Sequence, residues 1–373
     1  MAANFAQAVS FSMFLHLPGL LQALGARATL IGVLVSLTAL SAVVFGPLIG
    51  RVMDRRGRRP VILWGNCLNC CAVALYLGVD AIDVWLWGLQ LLHGLAEALL
   101  YAAFFTCAAD ILPSSRRTQG LALFGASSML AIAVGGYLGD AAIVLGGYPA
   151  VFGGALLAAL AALGLSWSLA ESQESEGAAT RPPRRWRDTL QQSDLLSLWL
   201  VSGAFFFAMA GVFVFFKTWV LTTGLGSLGG FFATYTATAV LLRLLLGWLP
   251  DRVGTLRMAG PSLLCFAAGV AALAAASQLW HLALAAVLCG VGHGFGFPVL
   301  MSLVTERARP GERGAAIAIF AMIDEGAVLV AGPVLGLAAE AFGYRGMYLC
   351  AAGVLVMAVL VFAGYIGFNR ARA

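Results

Sequence analysis

Apolar residues run along this chain in unbroken stretches of about twenty, separated by short breaks rich in Gly, Pro, Asp and Arg. A helix rising 1.5 Å per residue needs about 20 such residues to cross a hydrocarbon core about 30 Å thick. The runs predict helices over roughly 3–24, 28–52, 60–79, 84–109, 117–141, 147–170, 195–222, 228–249, 258–276, 280–304, 314–338 and 345–368. They lack the period-2 alternation and ten-residue rhythm of a membrane barrel. In lipid, only helices and closed barrels satisfy their own backbone. The expected fold is therefore an all-α membrane protein with twelve transmembrane helices in two pseudo-symmetric six-helix bundles. Residues 1–170 would form the first bundle, 171–194 a cytoplasmic linker and 195–373 the second bundle. The linker carries Glu171, Glu174 and Glu176, the breaker Pro182-Pro183, and Arg181, Arg184, Arg185 and Arg187. The first run has neither a charged leader nor a small-residue cleavage site, so it reads as a helix and not as a removed signal.

Composition sharpens this picture. Hydrophobic residues make up 61% of the 373 and charged residues 10%, against roughly 45–50% and about 25% in a soluble domain. Such a chain cannot cover a water-facing surface, which excludes a soluble enzyme, a disordered scaffold and a nucleic-acid binder. Of the 22 Lys and Arg, 18 fall in the linker, the even-to-odd connections and the C-terminal tail. Arg27 and Arg345 lie on the other side, and Lys217 and Arg243 lie within predicted spans. The positive-inside rule then places both termini and the linker in the cytoplasm, with a bacterial inner (plasma) membrane as the setting. The net charge of +5 needs no nucleic acid to explain it. All seven cysteines fall inside apolar runs and their number is odd, which speaks against a disulfide framework. Cys67-Leu-Asn-Cys70-Cys71 reads as packing.

One motif occurs twice. After the second run stands Gly50-Arg-Val-Met-Asp54-Arg55-Arg56-Gly57-Arg58-Arg59, and after the eighth Gly247-Trp-Leu-Pro-Asp251-Arg252-Val-Gly254. The shared pattern G-x-x-x-D-R-x-G recurs at an offset of 197 residues, as expected of a transporter built from two repeats. Gly50 would admit a neighbouring helix, Asp54 would accept from an adjacent helix end, and Gly57 would permit a tight turn. On these residues the chain resembles the major facilitator superfamily over essentially its whole length. The resemblance implies that Gly50, Asp54, Arg55, Gly57, Arg58 and Arg59 form a cytoplasmic latch between the halves that gates alternating access. The second copy has Thr255 and Leu256 where a second basic pair would stand, so its latch should be weaker. Asp110 and Glu306 close the fourth and tenth spans at matching positions and would share the gating with Asp251, Arg252 and Arg243. Arg243 either snorkels to the cytoplasmic edge or pairs with a carboxylate. The antiporter pattern G-P-x-x-G is partial in the fifth span, Gly135-Gly136-Tyr-Leu-Gly139, and complete in the eleventh, Gly332-Pro333-Val-Leu-Gly336. Those glycines also read as close-packing positions.

Ionisable residues inside a span are functional hypotheses by default. Gln90, His93, Glu97 and Tyr101 share one face of the fourth span. His293 occupies the place in the tenth span that Glu97 holds in the fourth. In the family that the chain resembles, spans 1, 4, 7 and 10 line a central cavity, which would set Glu97 opposite His293. Asp324 and Glu325 are adjacent carboxylates at mid-depth. Together these seven are the candidate substrate and proton-coupling residues; alternatively, Glu97 makes a structural hydrogen bond and His293 merely packs. His16 and His281 read as interfacial. Lys217 reads as snorkelling to the outer headgroups or as binding an anion. Phe205, Phe206, Phe207, Phe213, Phe215 and Phe216 would suit an amphipathic solute or simply pack helices. His93 and Glu97 lack a third ligand for a metal, and the glycines at 290–296 follow no strand that a phosphate loop would need. No cofactor and no covalent chemistry are implied. The expectation is a secondary active transporter, not an enzyme, with a small-molecule substrate, protons and membrane lipid as partners and a monomer as its state. Proton-coupled export leads. A symporter or facilitator for a sugar-like or anionic solute is the alternative, and a non-transporting membrane receptor on the same scaffold stands behind it.

Overall fold

A computed structural model describes residues 1–112, 117–169, 186–309 and 312–370. Every regular element among these described residues is a helix. In chain order they are α1 (Ala2–Met13), a 3-10 turn (Phe14–His16), α2 (Leu17–Ala23), α3 (Ala28–Arg56), α4 (Arg58–Tyr76), α5 (Val84–Ile111), α6 (Arg117–Trp167), α7 (Trp186–Leu190), α8 (Ser193–Thr223), α9 (Leu228–Leu246), α10 (Leu249–Val253), α11 (Thr255–Ala275), α12 (Leu279–Arg307) and α13 (Arg313–Arg370). Eight helices among the described residues are long and apolar enough to cross a membrane. Most of the predicted linker, 171–185, lies outside the described residues; its remainder forms α7 and the start of α8.

Three boundaries differ from the sequence pattern, each for a local reason. The first run is interrupted by the 3-10 turn, because Pro18 lacks an N–H and its ring crowds the carbonyl four residues back. The expected loops near 142–146 and 339–344 are absent. Helical structure continues through both, broken only at Gly146 and Gly147 (φ −161° and +68°) and at Gly343 (φ +67°). A glycine at positive φ turns the chain within one residue, so no polar loop is needed.

The chain divides into two compact units. The first comprises Met1–Ala26, the described part of Leu34–Arg181, and Ser227–Ala233; the second comprises Arg27–Val33, the described part of Pro182–Gly226, and Thr234–Ala373. In the first, α1 packs along α6, and α4 along α5. Met13, Val73, Val151 and Ala155 form one core cluster, and Ile49, Val61, Ile62, Leu100 and Phe104 belong to another. In the second unit, α11 pairs with α12 and α8 with α13. Phe205, Phe206, Phe215 and Phe216 of α8 are all fully buried.

Lipid chains are as apolar as leucine, so close packing and not water exclusion must hold such helices together. Glycine supplies the closeness. A Cβ on Gly65 would fall 2.8 Å from Leu100 Cγ, and one on Gly269 would fall 2.6 Å from the Cys289 amide nitrogen. A Cβ on Gly94 would collide with the backbone of Thr38, and one on Gly290 would lie 2.8 Å from Thr238 Cβ. The same glycine-to-threonine contact is thus built in each unit. Gly88, on the same helix as Gly94, faces open space.

Overpacking a tight contact costs about 1–3 kcal/mol. Gly94→Leu is therefore expected to lower the apparent Tm of the purified protein clearly, while Gly88→Leu leaves it near that of the parent. Equal Tm values for the two variants would show that the α3–α5 contact does not limit stability.

Candidate functional site

The shared face of α5 changes environment along its length. Gln90 and His93 are 0% and 3% exposed, whereas Glu97 is exposed and Tyr101 is 54% exposed. The four residues predicted to act together therefore split into an enclosed pair and an open pair. In the enclosed pair, Tyr76 Oη donates to Gln90 Oε1 at 3.0 Å. The His93 ring stacks on Phe11, with centroids 4.8 Å apart and planes 7° apart, and lies 4.2 Å from the Phe14 ring. Tyr76 meets His93 edge-on at 5.5 Å. Gln90 Nε2 and His93 Nε2 are buried with no hydrogen-bond partner among the described residues. Such atoms are costly in an apolar surrounding, so two of them one helical turn apart mark a polar spot held inside an aromatic box. In the open pair, Tyr101 packs its ring on Phe105 at 4.8 Å, and Glu97 is the ionisable member.

The equivalent position in the second unit is built differently. His293 Nδ1 and the Tyr235 hydroxyl form a short hydrogen bond. The His293 ring lies between Phe205 and Phe297, at 6.1 and 6.0 Å. Arg243 Nε donates to the Gly294 carbonyl at 3.1 Å, so this arginine is tied to α12 beside His293. The expectations of a snorkelling or carboxylate-paired Arg243 are replaced by this backbone contact. Asp324 and Glu325 are both half-buried in α13. Lys217 is only 5% exposed, which corrects the reading of an outer-headgroup anchor. His16 is fully buried and hydrogen-bonds the Gly136 carbonyl at 3.1 Å, so it is not interfacial. His281 caps the start of α12, accepting from the Ser277 amide at 3.2 Å.

The repeated loop motif has a geometry in each unit. Gly57 and Gly254 both take positive φ, +84° and +100°, and let the chain turn directly into the next helix. Arg58 Nε pairs with Asp110 Oδ2 at 3.0 Å, and a terminal nitrogen of the same guanidinium reaches the Met53 carbonyl at 3.4 Å. Arg59 donates to the Trp167 carbonyl at 3.0 Å. In the second unit Thr255 Oγ1 donates to Glu306 Oε2 at 3.4 Å, and Ser302 Oγ to Glu306 Oε1 at 2.6 Å. Thr255 thus stands to Glu306 as Arg58 stands to Asp110, a neutral donor in place of a cation. Asp251 and Arg252 are exposed, and the Arg252 guanidinium lies 5.7 Å from the Trp248 ring. Arg55 is exposed at the end of α3. Gly50 faces open space, so the expected close approach there is not made. The side chain of Asp54 lies outside the described residues.

Two partners escaped the sequence reading, Tyr76 and Tyr235; Thr255 was singled out there only as standing where a basic residue would. Each tyrosine is a lone hydroxyl in an apolar span, a signal that is visible in the sequence but shared with ordinary core tyrosines.

Removing one partner of a buried hydrogen bond strands the other at about 1–3 kcal/mol. Tyr76→Phe is expected to lower the apparent Tm, and the double variant Tyr76→Phe/Gln90→Leu is expected to recover part of that loss. A double variant no better than the sum of the two singles would mean that the pair is not coupled.

Comparison with known proteins gives a consistent result. The family model described as Major Facilitator Superfamily matches residues 1–234 and 221–372. The uncharacterized MFS-type transporter YhhS of Salmonella enteritidis PT4 is 26% identical over 378 aligned residues, covering 96% of this chain and 89% of that protein. The tetracycline resistance protein, class G, of Vibrio anguillarum is 30% identical over 301, covering 76% of this chain and 74% of that protein. Among solved structures, a point mutant of the nucleoside transporter NupG superposes with a TM-score of 0.80 at 13% identity, covering 97% of this chain and 98% of its own. A bacterial homolog of the human lysosomal transporter Spinster gives a TM-score of 0.80 at 14% identity, covering 97% of this chain and 93% of its own. These structural likenesses bear on the fold alone.

Proposed function

This chain belongs to the major facilitator superfamily, an integral membrane secondary transporter of small molecules and not an enzyme, and on that premise we propose that it exports its solute in exchange for protons by alternating access. Twelve spans in two six-helix repeats, with both termini in the cytoplasm of a bacterial cell, complete the proposal; residues 1–170 and 195–373 are the repeats. The observation that carries the coupling is Glu97. It is a carboxylate on a spanning helix, on the face that passes from the enclosed His93 to open surroundings within one turn. A proton-exchanging group must be able to change its surroundings, because only a difference in proton affinity between two states shifts their populations. A relative named for drug resistance supports the outward direction. The gate on the arginine-rich side is assigned to the Arg58–Asp110 pair and its neutral counterpart Thr255–Glu306. His293, Asp324, Glu325 and Arg243 are further members of the working set.

A second reading has one observation in its favour. Lys217 is a buried cation on a spanning helix, which suits an anionic solute. Lys217→Met separates the two readings: abolished binding of an anion with intact pH-driven flux of neutral solutes favours the second.

The test begins with a thermal-shift screen of the purified protein against amphipathic solutes, followed by flux of the stabilising solute in proteoliposomes with an imposed pH gradient. Glu97→Gln keeps the side-chain size and is expected to retain exchange at equal pH while losing accumulation driven by the gradient. Gradient-driven flux near the parent level in this variant would move the coupling role to Asp324 or Glu325.

The gate is tested separately. Arg58→Gln is expected to slow turnover severalfold with solute affinity little changed, and the swap Arg58→Asp/Asp110→Arg to restore part of the rate. A correctly inserted Arg58→Gln protein with unaltered turnover would remove the pair from the gate.

A further inference from the structure

Gln90 and His93 on α5 meet the same side chain of α4. The Tyr76 hydroxyl donates to Gln90 Oε1 at 3.0 Å, and the Tyr76 ring lies against the His93 ring with centroids 5.5 Å apart. Phe14 and Phe152 close the same place. The Phe14 ring is 4.8 Å from Tyr76 and 5.3 Å from Phe152, and Phe152 is 5.4 Å from Tyr76. All of these residues belong to the first unit. The atoms they leave unsatisfied are of known kinds. Gln90 spends its oxygen on Tyr76, so its orphan atom is the amide nitrogen, which only donates. The orphan on His93 is Nε2, which donates or accepts according to the tautomer.

The fold does not require polar residues at these positions. At the offset of 196 that carries Glu97 to His293, Gln90 falls on Ala286 and His93 on Cys289. The match is structural as well, because Gly94 and Gly290, also 196 apart, make the same contact with Thr38 and Thr238. Ala286 and Cys289 are both fully buried. The second unit therefore fills this place with a methyl and a thiol, and packing alone does not account for an amide and an imidazole in the first. A buried polar atom left without a partner costs about 1–3 kcal/mol, and the first unit carries two of them. A partner that bonds both removes that cost.

The chemistry of the pair selects this partner. Residues three apart on a helix have Cβ atoms about 5–6 Å apart. One oxygen that bonds both side chains at about 2.9 Å each spans the same distance. It must accept from the Gln90 amide and take either role at His93 Nε2, and water does both. A cation is refused by the Gln90 N–H groups. An anion finds no charged side chain among the residues that form the box, and an ion of either sign would exchange its hydration for aromatic rings. Rings as close as 4.2 Å from His93 leave no room for a larger solute.

We propose that Gln90 and His93 together bind one buried water molecule inside the first unit, enclosed by Tyr76, Phe14 and Phe152. The water accepts from Gln90 Nε2 and completes the hydrogen bonding of His93 Nε2. It belongs to the fold and is not the transported solute, so it is independent of any coupling role of Glu97.

The test uses the full chain in lipid nanodiscs and brief X-ray pulses, which make hydroxyl radicals wherever water is held; oxidised side chains are then read by mass spectrometry. Phe152 and His93, 2% and 3% exposed, are compared with Phe266 and His16, both 0% exposed. Phe152 and His93 are expected to oxidise about tenfold faster than these counterparts, because a radical born at a bound water reacts with the side chains around it. The triple variant Tyr76→Phe/Gln90→Leu/His93→Phe removes the polar atoms and roughly keeps the volumes, and the Phe152 rate is expected to fall to that of Phe266. Gln90→Leu alone, a milder change, is expected to lower the Phe152 and His93 rates about threefold. Parent rates equal to those of Phe266 and His16 overturn the proposal. So does fast oxidation of Phe152 that persists in the folded triple variant, or in Gln90→Leu where the triple variant does not fold, because the water would then not be held by this pair.

Discussion

Hydrocarbon offers no hydrogen bond to a backbone amide or carbonyl, and the architecture of this protein follows from that. Within a helix the backbone satisfies itself, so the long apolar elements α3, α5, α8 and α12 ask nothing of their side chains except packing. At a helix start the first amides remain open. Polar chemistry then collects where helices begin, end or break. Arg58 and Asp110 join the start of α4 to the end of α5, Thr255 and Glu306 join the start of α11 to the end of α12, and Asp140 and Glu340 hold the starts of α9 and α3.

A second consequence concerns contact. With no water to exclude between helices, attraction depends on how near two backbones come, and small residues set that distance. Gly94 against Thr38 and Gly290 against Thr238 give each unit the same contact. A backbone-to-backbone contact is short-ranged and bears little distortion, which suits elements that move as rigid bodies. The charged and hydroxyl pairs at the helix ends are different: they are few, directional and separable. Rigid interiors joined by separable ends are what alternating access asks of a structure.

Much of this was legible in the chain. Apolar runs of spanning length marked the helices, because hydrophobicity along the chain is a one-dimensional signal. The turns at Gly57 and Gly254 followed from the repeated loop motif. Other features were not legible. Gln90, His93, Glu97 and Tyr101 share a helical face in the sequence, yet two are enclosed and two are open, since helical spacing fixes direction but not depth of cover. Gly50 sits in the motif, yet a Cβ there would meet none of the described residues within 4 Å, while Gly136, which merely replaced an expected proline, is a contact point. Glu340 fell in an expected loop and Asp140 at the end of an expected helix, whereas the glycine breaks at 146–147 and 343 carry helical structure past both.

Contacts at matching sequence offsets also show where likeness was kept and where it was given up. The helix-start caps are matched carboxylate for carboxylate, and both accept from the second amide of a helix. The loop contacts are not matched: an arginine faces Asp110, and a threonine faces Glu306. An ion pair with a hydrogen bond is stronger than a neutral hydroxyl on a carboxylate, so the first unit's contact is the stronger of the two. The spanning residues diverge further, with an exposed carboxylate at Glu97 and a tyrosine-bonded histidine at 293.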